Sequence, residues 1–311
     1  HLAPGVRARC RPLFRAGLLA ARELIPARPS PLDPIAALLM LLAGLLHASW
    51  HAVVKNGSGL SILAGMGLVS SVVTLPFLFL VPIPSPSTWP IILASLVLHA
   101  AYKASLAVTY GSAEFGRSYP IARGCVPLFA AVFAYLALQQ PPQIGQLIGI
   151  ALISVGIIGL ARDRVHGSID RRAFAAAVLA AAMVAAYSVV DAAGTRQAAG
   201  WASFTAWIIV LDSLVFLLVA AIRRGPVLFA EIRTAYVSVV IAGLLGLTSF
   251  AVFLWALSRN PIANVVAFRE CSVLFASLIG IVVLKEKATL WRATCAALIA
   301  SGLVWIAMLK T

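Results

Sequence analysis

Six charged residues stand inside long apolar stretches of this chain: Lys103, Arg123, Asp191, Asp212, Arg269 and Glu270. A charge within a hydrocarbon layer costs several kcal/mol, so each must be paired with another or used on something that passes. The guanidinium forks of Arg123 and Arg269 suit carboxylate or phosphate groups, and Lys103 offers a compact cation for the same purpose. Glu270 follows Arg269 directly, about 100° around a helix, so these two neighbours cannot simply pair with each other. Asp191 and Asp212 are candidates for proton coupling, because burial favours the neutral carboxyl while a nearby cation favours the ionised one. Asp212 sits too deep to reach the surface easily and has a structural alternative as the ion partner of Lys103. Asp191 lies close to Gly194 at a segment end, where solvation is expected.

Two further clusters share helix faces. His47, Trp50, His51 and Val54 follow i, i+3, i+4, i+7 spacing, which puts two imidazoles and an indole on one stripe. His99, Lys103, Leu106 and Tyr110 form a second stripe with Tyr102 beside it. The substrate-binding expectation therefore covers Trp50, His51, Tyr102, Lys103, Arg123, Arg269 and Glu270. Tyr119, Tyr187 and Trp255 could add amphipathic rings to a cavity wall, whereas Trp89, Trp201 and Trp291 fit an interfacial belt. Histidines four apart can chelate a metal, but Ala48, Ser49 and Trp50 stand where a metalloprotease helix carries its glutamate, so no metal site is expected. The alternative reading, a metal-assisted intramembrane hydrolase using His47, His51 and Asp212, lacks a nucleophile or a third ligand in reach.

These residues need helices to hold them. Of 311 residues, 62% are hydrophobic and only 11% charged, too little polar surface to clothe a soluble protein of this length. Apolar runs of roughly 18 to 24 residues recur, each long enough to cross a hydrocarbon core as a helix. Ten such segments are predicted, over 34–54, 60–82, 89–110, 118–138, 143–161, 173–191, 201–222, 234–257, 261–284 and 289–309. The breaks between them are short, which implies antiparallel neighbours in an all-α bundle with no soluble domain.

Shifting the chain by 146 residues lays Arg123 to Ala161 on Arg269 to Ala307 without a gap. Arg123, Cys125, Leu128, Phe129, Ala130, Leu138, Ala151, Leu152, Ile153, Gly156 and Ala161 fall on identical residues. The chain thus divides into halves of five helices, 34–161 and 173–309. An odd number of crossings per half forces the second half into the membrane in the opposite sense, giving an inverted repeat with a site expected near the midplane. Gly145, Gly149, Gly156 and the alanine-rich last segment are suited to close helix approach.

Pro127-Leu128-Phe129, the break after Leu138 and the run Gly149 to Gly156 resemble the EamA-type repeat of the drug/metabolite transporter superfamily. Leu284-Lys285-Glu286-Lys287 with Cys295 to Gly302 is similar. The family's Gly-Glu-Arg-like turn keeps its acid at Glu286 and loses it at Gln139-Gln140. The resemblance implies a ten-helix carrier of small metabolites, often an exporter, with both termini in the cytoplasm of a bacterial inner membrane.

The net charge of +14 is spread over short connections and not gathered on one face, so nucleic acid is excluded as the partner. The odd-numbered connections hold twelve Lys and Arg against nine on the other side, six of these in the first 33 residues. By the positive-inside rule this count places the termini outside, against what the resemblance implies. Residues 1–33, with six arginines and several prolines, are expected to form a disordered basic tail without a signal-peptide core. Cys10, Cys125, Cys271 and Cys295 form no CxxC pair and read as small core residues. No GxxxxGK[ST] loop occurs, which leaves secondary transport or exchange as the energy source. No cofactor is expected; the expected partners are a small-molecule substrate, the lipid bilayer and a second copy of the chain.

Overall fold

The computed structural model describes residues 32–54, 59–110, 115–162, 171–197, 199–282, 285 and 289–309. The side chains of 59, 104–110, 115–119, 161, 162 and 173 fall outside that description. Five helices form the first half: α1 Pro34–Val54, α2 Gly59–Thr74, α3 Trp89–Tyr110, α4 Phe115–Leu138 and α5 Ile144–Arg162. The second half holds α6 Arg171–Thr195, α7 Gly200–Arg224, a short α8 Val227–Thr234, α9 Tyr236–Arg259, α10 Ile262–Arg269, α11 Cys271–Val282 and α12 Leu290–Met308. Among the described residues eight helices are long and apolar enough to cross a membrane, with α10 and α11 together making one, and Trp89–Lys103 and Ile144–Leu160 are shorter apolar helices.

Several element ends differ from the sequence reading. The second segment leaves α-helix at Thr74 for a tighter 3-10 stretch, Leu75–Phe79, with Pro76 at its start. The connection after α7 folds into α8 instead of remaining a plain loop. Leu32 and Asp33, assigned to the tail, belong to the bundle. Leu32 is buried, and Asp33 accepts a hydrogen bond from Ile35 N at 3.0 Å, capping a helix that begins with Pro34. The rest of the tail, 1–31, lies outside the described residues, as do Lys55 and the 286–288 turn that contains Glu286.

The helices pack in pairs that respect the repeat. α5 lies along α12, and α2 along α7, each a helix against its own counterpart. α4 packs on α6 while α1 packs on α11, and α3 packs on α6 while α1 packs on α9, which are exchanges of corresponding partners between halves. At the α5–α12 seam the symmetry reaches single positions. Trp291 Nε1 donates to Gly159 O at 2.8 Å and Trp305 Nε1 to Gly145 O at 2.9 Å, and the 146-residue shift exchanges the two residue pairs with donor and acceptor reversed. Trp291 therefore ties α12 to α5 at its polar tip and is not a free belt residue. A methyl added at Gly156 would meet Cys295 O at 2.8 Å, and one at Gly302 would meet Gly149 O at 2.7 Å, so backbones touch where only glycine fits. Outward faces carry Leu38, Leu136 and Leu218, all well exposed, which suits contact with lipid chains.

Candidate functional site

The fourth helix of each half departs from regular hydrogen bonding near its arginine, by different means, and only the second is interrupted. α4 runs through Pro120 and Pro127. Because proline has no N–H, Pro127 leaves the Arg123 carbonyl, four residues back, without its intrahelical donor. The counterpart segment, expected as one span, stops at Glu270 and restarts as α11. Around this break Glu270 N donates to Ala267 O at 3.1 Å and Val273 N to Glu270 O at 3.0 Å, both three residues back in place of four. The break presents Glu270 to the first half.

There it meets Arg123. Arg123 Nε lies 3.0 Å from Glu270 Oε2, with both side chains buried, and Arg123 Nη2 donates to Ser272 Oγ at 3.1 Å. Arg269 goes elsewhere. Its Nη1 donates to the Tyr187 hydroxyl at 3.3 Å, and its guanidinium sits 4.2 Å from the centre of the Phe253 ring. The position that would mirror Glu270 in the first half is Gly124, so the two-fold supplies Arg269 with no carboxylate. Among the described residues no acid lies within ion-pair distance of it.

Lys103 pairs with Asp212, Nζ to Oδ2 2.6 Å, above the Phe216 ring at 4.7 Å. The ion partner that the sequence offered for Asp212 is thus the one that the packing of α3 on α7 supplies. Asp191 is fully buried and not solvated as its position near the end of a segment implied. α6 continues to Thr195, and α3 lies across it, so Asp191 accepts from the Ser95 hydroxyl and faces His99 Nε2 at 3.2 Å. Ser95, His99 and Lys103 are successive turns of one α3 stripe; the spacing was visible, but that Asp191 faces this stripe depends on how α3 and α6 cross.

His47, Trp50 and His51 form a compact aromatic stack. Trp50 Nε1 is 3.3 Å from His47 Nδ1, and the Trp50 and His51 rings are stacked at 3.6 Å between centres. Asp212 is engaged by Lys103, and no cluster of three or more metal-ligating side chains occurs among the described residues. Tyr102 and Arg123 line a narrow cleft floored by Ala180, Ala181 and Val184 of α6. The Tyr102 ring lies 5.9 Å from that of Tyr187. Tyr119 is outside the described side chains.

Residues 34–162 and 171–308 both match the EamA-like transporter family. The chain belongs to the EamA-like transporter family. The two matches make it a multi-pass membrane transporter and remove the hydrolase reading. One solved structure, described simply as "Crystal structure of protein", superposes with a TM-score of 0.74 at 15% identity over 88% of this chain and 98% of its own, a likeness of fold. No curated protein matches the chain.

Proposed function

We propose that the protein is a secondary carrier of a small polar metabolite, anionic or zwitterionic, working by alternating access as an exporter or exchanger in a bacterial inner membrane. The observation that carries the substrate charge is Arg269. It is half-buried, and among the described residues its contacts are a hydroxyl and an aromatic face, which orient a guanidinium without neutralising it. A bound carboxylate or phosphate supplies the missing charge through the same fork. Arg123 and Lys103 are compensated by Glu270 and Asp212, so in this conformation neither is the main attraction for an anion. Trp50, His51 and Tyr102 offer flat, amphipathic surfaces for the rest of the substrate. Both termini in the cytoplasm and assembly as a homodimer complete the reading.

A thermal-shift panel of small anionic, zwitterionic and cationic metabolites tests it on the detergent-purified wild type and on Arg269→Ala. A ligand at a hundredfold its Kd stabilises by about 2.7 kcal/mol, well within reach of the method. Anionic or zwitterionic ligands are expected to raise the melting temperature of wild type alone. Stabilisation by cations only, unchanged in the variant, overturns the charge assignment and moves the site to the carboxylates.

A further inference from the structure

We propose that Ser95, His99 and Asp191 form a proton-binding site, and that Tyr187 links its occupancy to Arg269. Asp191 is wholly buried within α6 and accepts from the Ser95 hydroxyl at one oxygen. Its other oxygen faces His99 Nε2 at 3.2 Å. An ionised carboxylate at such a place needs a cation, and the group beside it is one that can become a cation. His99 turns Nε2 to Asp191, while its Nδ1 makes no hydrogen bond among the described residues. The imidazole retains slight exposure, 9% of its side chain against none for Asp191. A proton from water therefore adds at His99 Nδ1, Nε2–H continues to donate to Asp191, and the cluster passes from a net charge of −1 to zero with no other bond changed.

The surrounding charges leave this site to itself. On α3, Lys103 is held by Asp212 of α7. From α4, Arg123 is held by Glu270. Arg196, just beyond α6, donates to the carbonyls of Leu257 and Asn260. α9 presents Phe250 to His99 and Phe253 to Arg269. The exception is Arg269 of α10, whose partner Tyr187 lies one turn before Asp191 and places its ring 4.2 Å from the His99 ring. The Arg269 charge opposes protonation of His99, and an anion bound to Arg269 cancels that opposition. Anion and proton then bind together and cross as an electroneutral pair. Use of the site in transport rests on the anion reading above; the proton site stands on α3 and α6 alone.

The test needs no substrate. Nitrogen NMR of the full chain, labelled at histidine and held in lipid nanodiscs, follows the imidazoles between about pH 5 and 9. The His99 signal is assigned by its loss in His99→Gln or, should that variant not fold, from a variant keeping His99 as its sole histidine. His99 is expected to gain a proton across this range, Asp191→Asn to weaken that gain, and Arg269→Gln to strengthen proton binding by about threefold, or half a pH unit. Tyr187→Phe should alter the response to Arg269→Gln. A His99 that stays neutral throughout, or that titrates identically in Asp191→Asn and Arg269→Gln, overturns the proposal. A metabolite screen without anionic hits sinks the anion reading and leaves this titration standing, so the two failures are distinguishable.

Discussion

At the scale of single residues, the buried contact of Arg123 with Glu270 is the interaction whose loss should be felt most. Removing one member of a buried ion pair strands the other, at a cost of about 3–5 kcal/mol, whereas replacing both with apolar residues of similar volume is often neutral. Glu270→Ala is therefore expected to lower thermal stability sharply in detergent, and Arg123→Met with Glu270→Leu to recover most of it. Equal destabilisation by the single and double variants would mean that the loss comes from the pair's own attraction and not from a stranded charge. Lys103 with Asp212 also lies within the spans but is partly exposed, so Asp212→Asn, which strands the lysine, should destabilise too, though less than Glu270→Ala. Arg196 lies outside the helices, and burial lowers its guanidinium to about 10, still charged at neutral pH. The folded state holds that proton less tightly than the unfolded chain. Its penalty thus applies below about pH 10 and fades above it, and Arg196 contributes no slope to stability between pH 6 and 8. All six interior charges were legible as runs of hydropathy broken by a charge. Their pairing was not, because the depth of a residue along its helix says nothing about which neighbour covers it; Asp191 shows this most plainly.

The helices themselves carry the repeat into geometry. Gln139 and Lys285, again 146 apart, are the two non-glycine residues with positive φ among those described, at 55° and 53°. Both occupy the turn after the fourth helix of their half, and at the first of these Gln139 N donates to Tyr135 O at 3.0 Å and Gln140 N to Ala134 O at 3.2 Å. A β-branched side chain is strained in this left-handed conformation, by roughly 1–2 kcal/mol, and glycine is not. Gln139→Val should lower the melting temperature while Gln139→Gly leaves it nearly unchanged; equal effects would mean the turn relaxes to another shape. Along the α5–α12 seam, Gly156→Leu and Gly302→Leu are each expected to destabilise by about 1–3 kcal/mol, and by similar amounts, since their contacts are exchanged by the two-fold. The sequence announced these elements through small residues and apolar length. It gave no notice of the break at Glu270, where neither proline nor glycine marks the chain and the interrupting residue is paired with Arg123 of the other half.

For the whole molecule, one end of the bundle is closed by polar contacts between distant segments. Asn260 Oδ1 accepts from Asp33 N at 3.0 Å, Arg196 donates to the carbonyls of Leu257 and Asn260, and Ile262 N lies 3.4 Å from Gln140 Oε1. These contacts join the start of α1, the end of α6, the α4–α5 turn and the α9–α10 corner. Asn260→Ala should speed hydrogen exchange at amides 257–262 at least tenfold without melting the bundle, and unchanged exchange would show that apolar packing alone seals this end.

The mismatch between the two fourth helices bears on how the molecule turns itself around. If the two halves trade conformations when the cavity reverses its facing, the continuous α4 takes on the break now held between α10 and α11, and that pair becomes one regular helix. Pro127 has removed the backbone hydrogen bond that would resist such bending at Arg123, so the first half is already hinged where the motion would ask it to fold. The structure is in this sense a picture of two poses, the second written in the first with the names of the halves interchanged.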